Sequence, residues 1–482
     1  MLVFALLRPC PNYPPFISQT LKKILFAALS PIFAFSAAQA ADYYYIATFD
    51  DIQGTVTMGS AAAWSLSPVE TVTPDSGPGA GDMLHFYETN GYLYGGEQVC
   101  RVNMPSGTAL TVGGVEAEVS SEFWIRRNLS VAGDWTQTVT SNKKYSSETS
   151  GIRQLRFAVT NVGEGISVGG DMVLNTYGYF TTRMSNGRSS VAASGGVSLN
   201  VGGALAFNFT GFAGTLADKG YHVFDMRDSQ SGSAGGNAML FDLGGLKSSG
   251  RAVWMTSATS AVAHFNFNDN SSGSFAGGSF EGVFAADSGV SSQLNITMNG
   301  SGRQEMTIYK ASNGSLHGFE NDLDGKADMS IGNLTVNNGE FVMNTEVAVE
   351  ILYLSGGRLK LSSAEKVGGM TIDGGTLLFG GTINVGNLTV AANSADVVFS
   401  AEDLAAHEIT VFEFDYLTDD FDANSVFSAY NEFGQELGGR FELTVEMGGS
   451  GSLVYVVPEP AAVAAFIGAA ALMFALRRGG RR

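Results

Sequence analysis

The sequence predicts an all-β protein, an irregular right-handed parallel β-solenoid with about 18 residues per turn. Three observations predict this fold. One stretch repeats with a fixed period, its apolar residues alternate with other residues, and 62 of the 482 residues are glycine. Alternation with a period of two is typical of strands and not of helices, and the repeat is too short to hold a strand–helix–strand unit.

The repeat is clearest between residues 332 and 400. Each of four copies has apolar residues at its first and third positions and a turn-forming residue at its sixth, and a second alternating run follows. The copies are Leu334–Gly339, Leu352–Gly357, Met370–Gly375 and Leu388–Asn393, and the second runs are Phe341–Met343, Leu359–Leu361, Leu377–Phe379 and Ala395–Val397. Stacking such repeats buries an apolar side that one repeat cannot bury alone.

Weaker copies with an apolar-x-apolar-x-Gly core occur upstream. They are Leu110–Gly114, Leu129–Gly133, Ile166–Gly170, Leu199–Gly203 and Ile296–Gly300. We interpret the interval from Leu129 to Ile166 as two turns, and the shorter interval from Ile166 to Leu199 as a slip of register. Residues 107–400 are therefore expected to form one repeat region. A pair of antiparallel β-sandwiches is the alternative fold.

The segments on either side of the repeats are expected to be caps. Residues 41–106 show no clear repeat and are expected to form a β-rich cap. Residues 401–455 are predicted to form an acidic cap with strands at Glu408–Phe414 and Arg440–Val445. The last strand of a repeat stack has an unpaired edge, and charged residues protect such an edge from unwanted pairing.

The charge of the chain excludes some partners. The formal net charge is −19, from 27 basic and 46 acidic residues. Three of the basic residues precede Ala41, and four arginines and Glu459 lie in the C-terminal tail. The body of the chain is therefore even more acidic than the whole, and it should repel nucleic acid and anionic membranes. Such a body attracts cations.

The N-terminus resembles a secretory signal peptide. Lys22 and Lys23 precede an apolar stretch from Ile24 to Phe35, and small residues at Ala38 and Ala40 mark a cleavage site. We expect export through the Sec translocon and a mature chain that begins at Ala41. Pro11, Pro14 and Pro15 make residues 1–20 unlike the start of a signal peptide, so we expect translation to begin at Leu21.

The C-terminus has an apolar run between two polar elements. The run Ala461–Leu476 is long enough, as a helix, to span most of a bilayer core. Before it stand Pro458, Glu459 and Pro460, and after it stand Arg477, Arg478, Arg481 and Arg482. Terminal arginines stay on the cytoplasmic side. A single membrane helix is therefore expected within a C-terminal segment of residues 456–482.

The order of these parts resembles the PEP-CTERM sorting signal of Gram-negative bacteria. The resemblance implies that an exosortase-type membrane enzyme processes the precursor and that the protein reaches the cell envelope, cell surface or extracellular matrix. An ordinary tail anchor, which is retained, is the alternative. The Gly-containing repeats also resemble the autotransporter-associated β-strand repeats of bacterial surface proteins, which implies a surface-exposed β-solenoid.

One acidic segment has the donor pattern of a calcium loop. Glu320, Asp322, Asp324 and Asp328 place carboxylates around a glycine, Gly325, as Ca²⁺ loops do. The pattern resembles the first part of an EF-hand or thrombospondin-repeat loop but lacks the terminal glutamate. A plain acidic connector is the alternative. Apart from this possible Ca²⁺ site, no cofactor is expected.

The remaining residues with chemical potential are scattered. The five histidines show no metal-binding spacing. Once the leader that contains Cys10 is removed, Cys100 stands alone, so no internal disulfide is expected, and we expect an inert, half-buried thiol. Trp124, Trp135 and Trp254 are candidates for stacking on sugars, Trp135 because it follows a repeat glycine, where a side chain can face outward. Filling the interior of a wide turn is the alternative for these rings.

The sequence therefore predicts a non-enzymatic, exported structural or adhesive protein of the cell envelope or extracellular matrix. The alternative is a module that binds envelope polysaccharide, or an enzyme that acts on it, built on the same repeat scaffold.

Overall fold

The structure is a computed structural model. It describes residues 40–46, 58–87, 93–94, 97–103, 110–119, 122–126, 129–139, 154–159, 165–176, 180–186, 197–209, 222–228, 238–248, 252–256, 262–287, 293–310, 326–344, 348–362, 366–391 and 394–458. The chain divides into the units Met1–Ala41 and Asp42–Arg482, and the account below concerns the second.

Nearly all described elements are strands. The first seventeen in chain order are β1 (Asp42–Tyr45), β2 (Trp64–Ser65), β3 (Met83–Tyr87), β4 (Leu93–Tyr94), β5 (Glu97–Asn103), β6 (Leu110–Val112), β7 (Gly114–Val119), β8 (Glu122–Arg126), β9 (Leu129–Val131), β10 (Trp135–Val139), β11 (Gln154–Val159), β12 (Gly165–Val168), β13 (Met172–Thr176), β14 (Phe180–Asn186), β15 (Val197–Phe209), β16 (His222–Asp228) and β17 (Ala238–Ser248). The others are β18 (Ala252–Thr256), β19 (Val262–Phe267), β20 (Gly278–Asp287), β21 (Gln293–Met298), β22 (Arg303–Tyr309), β23 (Lys326–Asp328), β24 (Ser330–Val336), β25 (Glu340–Met343), β26 (Val349–Leu354), β27 (Arg358–Leu361), β28 (Val367–Ile372), β29 (Thr376–Leu378), β30 (Ile383–Val390), β31 (Ala395–Phe399), β32 (Glu408–Leu417), β33 (Phe427–Asn431), β34 (Arg440–Val445) and β35 (Gly451–Val456). One helical turn, α1 (Ala423–Val426), and the 3-10 turns Ala61–Ala63 and Asp403–Ala405 complete the described elements.

The strands form two sheets, one of 20 strands and one of 15. The smaller, second sheet contains β4, β5, β8, β11, β14, β16, β18, β20, β22, β23, β25, β27, β29, β31 and β33, and the other strands form the first sheet. Among the described strands, pairing is parallel except at β1–β2, β4–β5, β20–β23, β32–β35 and β34–β35. The predicted all-β class is confirmed. The alternative of two antiparallel sandwiches is wrong, because like strands from successive repeats pair in parallel.

Twelve apolar residues of the first sheet stand in register, one above the next. We call them the first apolar column: Leu110, Leu129, Ile166, Leu199, Phe241, Phe265, Ile296, Leu334, Leu352, Met370, Leu388 and Leu417. All except Leu110 are buried. The predicted stacking of the four clear copies is confirmed, and the first residues of the five upstream copies also lie in this column.

A second apolar column lies two residues further along each strand. It comprises Val112, Val131, Val168, Val201, Leu243, Phe267, Met298, Val336, Leu354, Ile372 and Val390, all of them buried. The residue between the two columns points to the other face of the sheet. Burying an aliphatic or aromatic side chain of this size contributes about 1.5–3 kcal/mol, so the two columns form the main core of the repeats.

The pairing corrects two interpretations of the upstream spacing. Leu129 pairs directly with Ile166, so the interval between them is one turn and not two. Ile166 pairs with Leu199 without any slip of register. Phe241 and Phe265, which were not among the copies named above, supply the missing members of the column, and their rings stack with centroids 4.7 Å apart. Phe241–Gly245 has the same apolar-x-apolar-x-Gly core as the other copies, whereas no glycine follows Phe265 at that position. The turns therefore vary in length because the connections vary, while the paired strands keep their alignment.

The second alternating runs also pair in parallel, with one correction. Phe341 pairs with Leu359, and Leu359 with Leu377, as predicted. Leu377 then pairs with Val397 and not with Ala395. The connection between β29 and β31 is longer than in the other copies, so the fourth copy is displaced on this sheet.

The first sheet continues through the region expected to be an N-terminal cap. β1 pairs in parallel with β3, and β3 with β7. Tyr43, Leu84 and Val115 are buried one above the next, as the columns are further on. The sheet therefore crosses the expected boundary at residue 106. Of the strands described at this end of the first sheet, only β2, which pairs antiparallel with β1, breaks the parallel order.

The C-terminal cap closes the first sheet with antiparallel strands. The two strands predicted there correspond to β32 and β34. β32 still pairs in parallel with β30, whereas β35 pairs antiparallel with β32 and β34. The buried ring of Tyr455 stacks on Phe399, with centroids 4.9 Å apart, and joins this hairpin to the core.

Glycines form the corner between the two strand segments of the long turns. The Gly133 N–H donates to Gly113 O, the Gly170 N–H to Gly133 O, and the Gly203 N–H to Gly170 O, over 2.7–2.9 Å. A Cβ added to Gly202 would lie 2.4 Å from the carbonyl oxygen of Gly169 in the turn before. Close approach of backbones, and not positive φ, therefore requires glycine here. In the clear copies the turn glycines Gly339 and Gly375 have positive φ, 60° and 81°, whereas Gly357, at the equivalent position, does not.

A buried glutamine covers a sheet edge where the turns shorten. In β17, residues after Leu243 have β15 as a neighbour, but β19 pairs only with the first part of the strand. The fully buried Gln304 side chain fills this gap, because its Oε1 accepts from Leu246 N at 2.9 Å and its Nε2 donates to Leu246 O at 3.0 Å. A side-chain amide thus replaces a missing strand.

Replacing Ile372 with aspartate should unfold the repeat block. Ile372 is 1% exposed in the second apolar column, and an unpaired carboxylate there should cost about 3–5 kcal/mol. The matched control is Thr371→Asp, because Thr371 lies next to it on the outward side of β28 and is partly exposed. Thermal unfolding followed by circular dichroism should show a large decrease of the unfolding temperature for Ile372→Asp and a small decrease for Thr371→Asp. Equal losses would contradict the assigned inward face.

Replacing Gly202 with alanine should destabilise the long turns. The new Cβ would overlap the Gly169 carbonyl, and backbone cannot move aside as a flexible side chain can, so a loss of about 1–3 kcal/mol is expected. Gly438→Ala is the control, because no atom lies within 4 Å of its added Cβ. Urea unfolding of both variants measures the difference. A Gly202 variant as stable as the control would show that the corner has room.

Candidate functional site on the outer sheet face

A row of amide and hydroxyl groups directly follows four strands of the first sheet, β19, β21, β24 and β26, and is linked from turn to turn. We call this row the asparagine ladder. Asn299 Nδ2 donates to Asn268 Oδ1 at 3.0 Å, Asn337 Nδ2 to Asn299 Oδ1 at 2.9 Å, and Ser355 Oγ to Asn337 Oδ1 at 2.8 Å. Like residues stack because the strands are in register. Each bond contributes about 0.5–1.5 kcal/mol, and the remaining polar capacity faces solvent.

Aspartates make similar links at the glycine corner. Asp134 Oδ1 accepts from the N–H of Asp171 at 2.8 Å, and Asp171 Oδ1 accepts from the N–H of Ala204 at 2.7 Å. Each carboxylate therefore satisfies a backbone donor one turn later. These acids stabilise the stack and do not converge on a common point.

The most densely connected side chains surround His85 near the N-terminal end of the first sheet. Tyr44, His85 and Glu116 are paired residues on β1, β3 and β7. His85 Nε2 lies 3.1 Å from Asp42 Oδ1, and Nδ1 lies 3.1 Å from both the Tyr87 hydroxyl and Glu116 Oε2. The Tyr44 ring stacks on the imidazole, with centroids 4.7 Å apart. We call these five residues the His85 cluster.

The geometry of the His85 cluster favours a structural role, in which it holds neighbouring strands together, over a catalytic role. His85 is only 8% exposed, and both of its ring nitrogens already face partners. A general base needs a free nitrogen within reach of a substrate proton. The cluster instead links β1, through Asp42, to β7, through Glu116, with His85 of β3 between them.

The tyrosines of the cluster are harder to ionise than usual. Burial, and then the charge of Glu116 and its hydrogen bond, raise the pKa of Tyr87 to about 12. Burial and the charges of Asp42 and Glu116 raise the pKa of Tyr44. Both hydroxyls therefore stay protonated as donors throughout the physiological range.

An open groove of about 620 Å³ lies beside the C-terminal hairpin. Its wall combines three carboxylates, one lysine and several hydroxyl and amide groups. The lining residues are Lys366, Asn384, Val385, Glu413, Phe414, Asp415, Thr444, Glu446, Ser450, Gly451 and Ser452. Lys366 Nζ forms an ion pair with Asp415 Oδ2. The other two carboxylates of the wall, those of Glu413 and Glu446, do not share this lysine. The groove can present several hydrogen-bond acceptors to one ligand.

The predicted calcium loop is only partly within the described chain. Asp328 is the exposed last residue of β23, which pairs antiparallel with β20. Glu320, Asp322 and Asp324 lie outside the described residues, so the Ca²⁺ site stays a prediction. Within the described residues, no group of three or more His, Cys, Asp or Glu side chains could hold a metal ion.

The predicted processing signals fall at the two ends of the described chain. Ala40 and Ala41 directly precede β1, and Pro458 follows β35, whereas Ala38, Glu459, Pro460, Arg477, Arg478, Arg481 and Arg482 lie outside the described residues. No helix in the described part has the length and apolar character of a membrane span. The predicted membrane helix lies beyond it.

Sugar stacking is wrong for Trp135, and the alternative, a ring that fills the interior, is the one observed there. Trp135 is fully buried in the first sheet, where it pairs with Val115 and Met172, so it cannot stack on a sugar. The strand begins with an inward residue directly after the corner, and this places the ring inside. Trp124 lies on β8, Trp254 on β18 and Cys100 on β5. Their proposed roles stay predictions.

No protein-family model, no curated protein and no solved structure matches the chain. The relation of the tail and the repeats to known families therefore stays a prediction.

Sequence reasoning missed the His85 cluster because its members come from three distant segments. Asp42, His85 and Glu116 are far apart along the chain, and each is ordinary in its local context. The only available signal was the alternation in Asp42–Tyr45 and Met83–Tyr87, which predicts strands but not their partners.

The raised pKa of Tyr87 predicts a loss of stability in strong alkali. From about pH 10 to about 12 the unfolded chain releases this proton while the folded chain keeps it, so stability falls as the pH rises through that window. Tyr87→Phe removes this contribution and should flatten the decline, measured as the urea midpoint against pH. Glu116→Gln, which keeps the size but removes the charge, should flatten it partly. If the urea midpoint of Tyr87→Phe falls with rising pH as steeply as that of the natural protein, the raised pKa of Tyr87 is not the cause of the fall.

Proposed function

We propose that the chain is an exported structural or adhesive protein of the cell envelope or extracellular matrix, built as a right-handed parallel β-solenoid. The observation that carries the proposal is the first apolar column, twelve in-register residues from Leu110 to Leu417. A scaffold of this kind gains length by adding turns, and its inside remains the same while its outside varies.

The path of the chain supports the solenoid. From β24 to β33 the strands alternate between the first and the second sheet, and each is paired in parallel with its counterpart in a neighbouring turn. A chain that returns to the same sheet in the same direction after crossing another layer completes a coil. Right-handed crossings are favoured because they match the natural twist of strands.

The two ends of the sequence support export and sorting. The signal-peptide pattern ends directly before β1, and the sorting-signal pattern begins directly after β35. All described strands thus lie between the two processing signals. The partners that follow are the Sec translocon and an exosortase-type membrane enzyme, and the precursor would be anchored in the inner membrane.

Binding of envelope polysaccharide is the second candidate function. The groove beside the hairpin favours it, because carboxylate, amide and hydroxyl groups line one concavity, and sugar hydroxyls bind such acceptors and donors. Its negative charge selects neutral or amine-bearing sugars over acidic ones. An enzyme acting on polysaccharide would need, in addition, an acid and a base placed on either side of one bond.

The sorting proposal predicts the ends of the mature protein. It should begin at Ala41 and lack Ala461–Arg482, because the apolar segment stays with the processing enzyme. Replacing Pro458, Glu459 and Pro460 with alanine should leave the unprocessed precursor in the inner membrane. Cell fractionation and intact-mass measurement test both statements.

The control for this experiment is Glu432→Ala, which removes an exposed carboxylate of the same cap without touching the signal. It should be processed and released like the natural protein. A surface pool that retains Arg482 would show a tail anchor and overturn the sorting proposal. A chain found only in the cytoplasm would overturn export.

A further inference from the structure

One continuous row of polar side chains crosses the groove beside the C-terminal hairpin. Asn384 of β30 pairs with Glu413 of β32. Glu413 also pairs with Ser452 of β35, which in turn pairs with Thr444 of β34. All four residues line the groove. Since neighbouring strands lie about 4.8 Å apart, the row is about 14 Å long, and it offers an amide, a carboxylate and two hydroxyl groups to an extended ligand.

The turn that joins β34 to β35, residues 446–450, borders this groove and is ordered by its backbone. Glu446 N donates to Ser450 O at 2.7 Å, and Gly449 N donates to Glu446 O at 3.0 Å. Gly449 O accepts from Leu417 N at 3.0 Å, which ties the turn to the end of β32. A surface that is ordered before binding loses little entropy on association.

An exposed aromatic ring stands next to the turn. Tyr416 directly follows the groove residue Asp415 and is 50% exposed. A Cβ added to Gly449 would lie 2.8 Å from Cδ2 of this ring, so the ring and the turn are in close contact. One part of the ring therefore packs on the turn while another part is open to solvent. Such a ring can stack on the apolar C–H groups of a sugar.

The charges of the groove favour a ligand that carries ammonium groups. Three carboxylates and one lysine line it, so its formal charge is −2. Lys366 forms an ion pair with Asp415, so one ammonium group is already accommodated at this surface. Glu413 and Glu446 form no ion pair with any described residue. The acidic body adds a long-range attraction for a cationic ligand.

We propose that the groove binds a polysaccharide whose sugar units carry free amino groups. Glu413 and Glu446 hold the ammonium groups, the hydroxyls of Ser452 and Thr444 bind those of the sugar, and Tyr416 stacks on a sugar ring. The proposal deepens the second candidate function and rests on it, because it names the sugar class that the groove takes. A lysine-rich protein segment also carries ammonium groups, but it has neither hydroxyl groups for the polar row nor a sugar ring for the tyrosine.

Two oligosaccharides that differ only at the amino group test the proposal. They are the tetramer of β-1,4-linked glucosamine and its N-acetylated counterpart, each titrated calorimetrically into the full chain in mild detergent, at a pH at which the amine is protonated. The natural chain should bind the glucosamine tetramer about tenfold more tightly, because each exposed carboxylate contributes about two- to fivefold. Glu413→Gln and Glu446→Gln should each reduce this preference by about that factor. Tyr416→Ala should weaken binding of both tetramers equally.

Glu408→Gln is the matched control, because Glu408 is an exposed carboxylate on the same strand as Glu413 but does not line the groove. It should bind both tetramers like the natural chain, and circular dichroism verifies that all variants are folded. Equal affinity for the two tetramers would overturn the amine preference and leave polysaccharide binding in place, whereas no binding of either would overturn both. A lysine tetrapeptide that binds as tightly as the glucosamine tetramer would overturn the sugar class. A loss in Glu408→Gln as large as in Glu413→Gln would overturn the site.

Discussion

The structure depends on the in-register stacking of apolar side chains between successive turns. A single turn leaves its inward apolar side chains exposed and is not stable by itself. Each added turn buries its own apolar side chains and those of the neighbouring turn. The two apolar columns show the consequence. Leu352, Met370 and Leu388 differ in shape but occupy equivalent positions, because what the stack requires is a buried apolar side chain in register and not one residue type.

This requirement constrains the strands and leaves the connections free. The short turn from Leu352 to Met370 and the much longer turn from Leu129 to Ile166 contribute equally to the first apolar column. The corner glycines belong to the constrained part, because at Gly202 the backbone of the previous turn occupies the space of a side chain. The outward rows are constrained in a second way, since in-register stacking brings like polar groups within hydrogen-bonding distance, as in the asparagine ladder.

Where the stack is interrupted, the chain uses specific polar groups to complete it. Gln304 satisfies the backbone of Leu246 where a neighbouring strand is missing, and Asn424 does the same for Phe441 on the last strand. At the beginning, His85 connects Asp42 and Glu116 across the first strands. The two amides meet the same need, because buried or edge backbone groups without partners are costly, whereas His85 joins side chains of neighbouring strands. Most of the exposed large apolar residues of the described chain also stand near these two ends.

The sequence by itself determined the all-β class, the period of the clear repeats and the residues of the columns wherever glycine followed them, because alternation and turn residues are local properties of the chain. It did not determine that Leu129 stands beside Ile166, that Trp135 faces inward, or that Phe265, which no glycine follows, belongs to the first apolar column. Those facts depend on which strands become neighbours, and connections of variable length conceal this from any fixed period. The His85 cluster, the covering role of Gln304 and the groove beside the hairpin were likewise decided only by the tertiary structure. Their residues are far apart in sequence, and only the pairing of strands and the packing of the two sheets bring them within bonding distance.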